Sequence, residues 1–192
     1  MSGVPNIKFH SEEMPPLPPP GKPVLIRVAT TPPHQTARQE LRAVLRTVLA
    51  AWSDLPPEQL PLVETAHGPV WRGKLGGRTL DISLSYAEDE GWIGLIRSGL
   101  IGVDAMNIQY IPEAEQVARH YLDNATLAAI QHSSDPALAF TTAWTELEAR
   151  LKCMKLELNE WSVPQEVAIA KCAIQNIVLP ERVMVTVATA RK

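Results

Sequence analysis

Glu148 and Lys152 stand one helical turn apart in the stretch FTTAWTELEARLK, Phe140 to Lys152. At about 100° per residue, Phe140, Trp144, Leu147 and Leu151 fall on one face, which predicts an amphipathic helix. Thr141, Thr145, Glu148 and Lys152 fall on its flank, with Glu148 nearest the apolar stripe. A carboxylate in that position is only partly hydrated, which suits a metal ligand or a general base. The plain alternative is a solvated i,i+4 ion pair with Glu on the N-terminal side, worth about 0.2–0.5 kcal/mol.

Three further groups could join such a site. Asp104 follows Leu100-Ile101-Gly102-Val103, and a carboxylate placed directly after apolar strand residues marks either a turn or a site. Arg38, Arg42 and Arg46, at i, i+4 and i+8, form a basic stripe that could hold phosphates by charge-assisted hydrogen bonds or simply face solvent. Leu80, Ile82, Leu84 and Tyr86 alternate with Asp81, Ser83 and Ser85, so a half-buried strand presents two hydroxyls and a carboxylate on its polar face.

The elements that must position these residues are legible in the pattern. Val24 to Val28 reads as a first strand. Thr36 and Gln39 form a capping box ahead of a helix whose buried face is Leu41, Val44, Leu45, Val48, Leu49 and Trp52. Trp92 to Ile96 and Leu100 to Asp104, joined at Ser98-Gly99, predict a hairpin. Pro112 to Leu122 and Asn124 to Gln131 read as helices, and Ser134-Asp135-Pro136 supplies the N-cap and first-turn proline of the helix carrying Glu148. Runs at Glu166 to Ala173, Ile174 to Val178 and Val183 to Ala188 predict three closing strands. The order implies an α+β fold of two similar halves, each a small, mostly antiparallel sheet packed on helices. We expect half-domains at 24–104 and 105–192, preceded by a proline-rich extended arm at 1–23 that packs on the domain.

The composition excludes several classes. A formal net charge of -3 argues against nucleic-acid binding, which needs a basic excess. Cys153 and Cys172 lack metal-ligand spacing and read as reduced core thiols, as expected in the cytoplasm. No run is long and apolar enough for a membrane span, and the N-terminus has no secretory pattern.

With Ser83, Gly102-Val103-Asp104 and Trp144-Thr145-x-x-Glu148-Ala149-x-x-Lys152 in this order and spacing, the chain resembles the 4′-phosphopantetheinyl transferases, and best their longer, pseudo-twofold branch. The resemblance spans roughly residues 36 to 152. It implies half-domains related by pseudo-twofold symmetry, with coenzyme A and Mg²⁺ in the cleft between them. It further implies transfer of the phosphopantetheine arm to a serine of an acyl or peptidyl carrier protein, with release of adenosine 3′,5′-bisphosphate. Asp104 and Glu148 would bind the metal, and Glu148 and Lys152 would act in catalysis. Arg38, Arg42, Arg46, Ser83 and Lys152 would bind coenzyme A. A monomer is expected, and the carrier would dock near Arg119, His120 and a loop from Ala125 to Ser134.

The chain departs from the family pattern at several positions. Leu84 replaces the His of the Ser-His-Ser motif, Met106 the second acid after Asp104, and Leu147 the Lys before Glu148; Gly68-Pro69-Val70 lacks the usual basic residue. Arg72, Lys74 or Arg78 could supply the missing charge. A second reading is therefore a catalytically weak or inactive relative that binds coenzyme A or a carrier protein. Asp104 and Glu148 should also repel one another without a metal, so that removing either would leave the fold intact and slightly more stable.

Overall fold

The computed structural model describes residues 9–10 and 14–191. The expected arm at 1–23 lies partly outside the described residues. From residue 14 onward it packs on the domain: Pro15 and Pro18 are buried, and Trp52 Nε1 donates to the Pro15 carbonyl at 2.7 Å. Strand β1 (Phe9–His10) runs parallel beside β2 (Pro23–Ala29).

Helix α1 spans His34–Ser53 and buries Ala37, Leu41, Leu45, Val48 and Leu49. It does not start with the expected capping box. Pro33 is the N-cap and offers no side-chain acceptor, while the Thr36 N–H donates to the Pro33 carbonyl at 2.9 Å, so Thr36 lies inside the helix. The short hairpin β3 (Leu62–Thr65) and β4 (Gly68–Trp71) leads into β5 (Leu80–Ala87) and β6 (Glu90–Arg97). The first sheet has the order β1-β2-β6-β5. One face packs on α1 through Val24, Ile26, Ile82, Ile93 and Leu95.

Strand β7 (Leu100–Asn107) does not form the expected hairpin with β6. Ser98 takes a φ of 59° and redirects the chain, so β7 leaves the first sheet and pairs antiparallel with β9 (Val183–Ala190). The second sheet is β7-β9-β8, with β8 at Ala173–Val178. Between them come α2 (Ala114–Tyr121), α3 (Asn124–Gln131), α4 (Pro136–Met154) and α5 (Val163–Ile169). Most of the expected Ala125–Ser134 loop is thus helix α3, capped by Asp123. The first half of the expected strand at Glu166 to Ala173 is the end of helix α5, and a turn follows: Pro164 near the helix start and Glu166 in its first turn are helix-initiating features that outweigh a few β-branched residues.

Asp135 caps α4 as the sequence predicts, accepting from the Leu138 N–H at 3.0 Å. The helix buries two faces. Phe140, Leu147 and Leu151 pack against α2, α3 and α5, while Thr141, Thr145, Ala149 and Cys153 turn toward the second sheet. The expected flank residues Thr141 and Thr145 are fully buried, and Thr145 Oγ1 meets Thr186 Oγ1 at 2.7 Å. The Thr145 hydroxyl survives burial because it also bonds to the backbone carbonyl of Thr141 at 2.9 Å, whereas Thr141 Oγ1 is buried without a hydrogen-bond partner among the described residues. Cys153 and Cys172 are both buried and unbridged.

The layers therefore run α1, first sheet, second sheet, α4. Ile101, Val103 and Ala105 of β7 face Trp92 and Ile96, while Gly102 faces α4. A Cβ at Gly102 would lie 1.9 Å from the Ala149 carbonyl oxygen. The glycine is what lets the helix backbone rest directly on the strand, one residue from each of Val103 and Ile101 and two from Asp104.

Candidate functional site

The polar face of β5 joins the two sheets. β9 satisfies one edge of β7, and side chains of β5 satisfy the other. Asp81 Oδ2 accepts from the Ile101 N–H at 2.8 Å, Ser83 Oγ from Val103 N–H at 2.9 Å, and Ser85 Oγ from Ala105 N–H at 3.0 Å. Alternating side chains on one strand thus stand in for a neighbouring backbone, which period-two geometry permits because residues 81, 83 and 85 share a face. Ser83, expected at a phosphate, accepts one bond of this seam and keeps its hydroxyl proton to donate.

Asp104 lies within β7 rather than at its end and pairs in register with Thr186. It is only 8% exposed, and a carboxylate so buried needs partners. Ser85 Oγ donates to Oδ1 at 2.9 Å and Lys152 Nζ at 2.7 Å. Lys152 Nζ also reaches the Val103 carbonyl at 3.2 Å. The alternative i,i+4 pairing of Lys152 with Glu148 is not what the structure contains. Lys152 turns to β7, and among the described residues Glu148 has no hydrogen-bond or ion-pair partner. Burial raises the Glu148 carboxyl above the ordinary glutamate range, nearby Asp104 raises it further, and Lys152 offsets part of the rise.

A cavity of about 500 Å³ opens beside this cluster. Ser83, Ser85, Asp104 and Lys152 line it on one side, and His34, Arg38 and Arg42 on the other. Arg42 is already engaged: Nε and Nη2 each lie 2.9 Å from a Glu64 carboxylate oxygen, and Nη1 lies 3.3 Å from Tyr86 Oη. Arg46 does not line the cavity; its guanidinium reaches the Pro57 carbonyl at 3.5 Å. Neither Arg72, Lys74 nor Arg78 lines it. The added positive or titratable groups are His34, His67 and Lys155, which sequence reasoning passed over. His34 was findable, since 34, 38 and 42 share one helical face. Lys155 was not, because its approach depends on a left-handed φ of 57° at the α4 C-cap and a pairing with Asp81 at 3.1 Å.

Asp104 and Glu148 are hard oxygen donors close enough for Asp104 to raise the Glu148 carboxyl; Asp104 lines the cavity, and Glu148 is not among its lining residues. That donor set fits a divalent cation of the Mg²⁺ type, which typically takes one or two protein carboxylates and completes its shell with water and phosphate. Among the described residues no group of three His, Cys, Asp or Glu side chains is clustered for metal binding, so the fit rests on two carboxylates. No described helix is long and apolar enough to cross a membrane.

Comparison with known proteins finds a match over part of the chain. No curated protein matches it. The model of the 4′-phosphopantetheinyl transferase superfamily matches residues 100–181, less than half of the chain, from the start of β7 past α5 and β8. Asp104, Glu148 and Lys152 all fall within the match, while Ser83 and the arginines of α1 precede it. Over that stretch the chain is similar to a superfamily of phosphopantetheinyl transferases.

Proposed function

We propose that this protein transfers the 4′-phosphopantetheine arm of coenzyme A to a serine of an acyl or peptidyl carrier protein. The observation that carries the proposal is the pairing of Asp104 on β7 with Lys152 on α4, near enough to Glu148 to raise its carboxyl, beside a cavity that Asp104, Lys152, Arg38 and Ser83 line. The superfamily match over residues 100–181 supports the same reading. The half-domains 24–104 and 105–192 would meet at β7, as in the pseudo-twofold branch, and the protein would act as a cytoplasmic monomer.

In this reading the serine Oγ attacks the β-phosphorus of coenzyme A. The bond to the oxygen bridging the two phosphates breaks, and adenosine 3′,5′-bisphosphate leaves with that oxygen. Glu148 takes the serine proton, directly or through a water; its raised proton affinity makes it a better base than an exposed glutamate. Lys152 offsets negative charge on the pyrophosphate. Ser83 donates its free hydroxyl proton to a phosphate oxygen, and Arg38 and Arg42 meet the nucleotide end, with Arg46 further out. A Mg²⁺ ion held by Asp104 and Glu148 would supply charge neutralisation on the pyrophosphate.

Two observations favour a weaker alternative, a relative that binds coenzyme A or a carrier without efficient transfer. Leu84 stands where the family has His, and Glu64 already occupies both arms of the Arg42 fork. Mass spectrometry of an apo carrier protein incubated with coenzyme A, Mg²⁺ and this protein separates the two. Gain of a phosphopantetheine mass establishes transfer; binding of coenzyme A with no mass gain selects the alternative.

A further inference from the structure

A second, larger depression lies at the other end of β5. It encloses about 1130 Å³ and is bounded by the turns at residues 21–22, 74–79 and 98–99, together with the edge of the second sheet at 171–173 and 189–191. Five of its fourteen lining residues are basic, Lys22, Lys74, Arg78, Lys171 and Arg191, and none is acidic. In a chain of 18 basic and 21 acidic residues that is a strong local excess. All five are exposed, and none has an ion-pair partner among the described residues. Thr79, Ser98 and Thr189 add hydroxyls to the same surface. Like charges gathered from four separate segments repel one another, so the arrangement is relieved when an anion enters.

We infer that this basin is a docking site for an acidic polypeptide segment of a partner protein, distinct from the cavity that holds Asp104 and Lys152. The two share no lining residue. From Thr79 to Ser85 the chain advances about 20 Å at strand rise. The shape and chemistry select the partner class. The basin is open and its cations are flexible side chains, which suits a run of Asp and Glu side chains on a mobile segment. It presents no aromatic side chain on which a base could stack, and five cations on a net-negative chain give a weak grip on a phosphate backbone. Its concave form does not follow a flat lipid surface.

The probe is a fluorescein-labelled peptide of alternating glutamate and serine, titrated with the full chain and followed by anisotropy. Saturable binding that weakens with salt is expected. Lys74→Glu combined with Arg78→Glu should weaken it at least tenfold, about 1.4 kcal/mol. Both residues are exposed, and an unchanged circular-dichroism spectrum and thermal midpoint confirm the fold. Arg38→Glu, at the other cavity, should leave peptide binding unchanged, and excess coenzyme A should not displace the peptide. The inference is overturned if no saturable binding occurs, or if Arg38→Glu or coenzyme A removes it. Indifference to the double charge reversal also overturns it, as does tighter binding of a single-stranded oligonucleotide of equal charge or of phosphatidylserine vesicles. These outcomes are independent of whether the protein transfers phosphopantetheine.

Discussion

The ammonium of Lys152 lies 2.7 Å from Oδ1 of Asp104, so the cation of helix α4 is committed to the carboxylate of β7 rather than to Glu148 one turn earlier. This pairing separates the roles of the two carboxylates. Asp104 is neutralised and held by Ser85, whereas Glu148 is left desolvated beside a like charge.

Asp104→Ala should therefore lower stability, against the expectation that losing either carboxylate is slightly stabilising. It strips Lys152 and Ser85 of their acceptor, and the side chain of Lys152, 32% exposed, recovers part of its solvation. The expected loss is about 1–3 kcal/mol by denaturant titration, together with loss of transfer activity. An unchanged midpoint would mean that the ion pair contributes nothing.

Glu148→Gln should have the opposite sign. Because the folded protein holds this carboxyl above its unfolded value, the native state binds the extra proton, and stability falls as pH rises from the ordinary glutamate range through the raised folded value. The variant should lose less thermal stability than the parent as pH rises above the ordinary glutamate range of about 4. The parent should also gain more from added Mg²⁺ and coenzyme A than the variant. Parallel pH curves for the two proteins would remove Glu148 from the site.

Ser83→Ala should expose the dependence of the sheet junction on side-chain acceptors. The Val103 N–H loses its partner, at a cost of about 1–3 kcal/mol, and native-state hydrogen exchange should speed up at Val103 more than at Val187, its neighbour on β9. Uniform exchange changes along β7 and β9 would contradict a local seam.

Gly102→Ala should be the most damaging single methyl group in the chain's second half. Its Cβ would stand 1.9 Å from the Ala149 oxygen and 2.5 Å from the Cys153 nitrogen, both backbone atoms that cannot rotate away. We expect a loss of about 3 kcal/mol or more, or failure to fold, and in any soluble fraction a loss of transfer, since α4 carries Glu148 and Lys152. A stable, active variant would show that α4 does not rest on β7.

Glu64→Ala should release the Arg42 guanidinium. If Arg42 meets a phosphate of coenzyme A, the KM for coenzyme A should fall several-fold, whereas Arg42→Ala should raise it about tenfold or more with kcat less affected. Equal effects on kcat and none on KM would place Arg42 outside the binding site.

The sequence by itself determined most of the local elements and several of the chemistry-bearing residues. Helical period fixed the buried face of α1, Asp135-Pro136 fixed the start of α4, and strict alternation fixed β5 with its polar face of Asp81, Ser83 and Ser85. Those signals are short-range, set by periods of 3.6 and 2 and by capping chemistry. Only the tertiary structure decided where β7 pairs, because a turn at Ser98-Gly99 is compatible with a hairpin or with departure to another sheet, and the choice depends on β9, more than eighty residues away. The same holds for Lys152. One turn from Glu148 in the helix, it is nearer in space to Asp104 because Gly102 lets α4 lie against β7, and a half-buried ammonium goes to the buried carboxylate that most needs it.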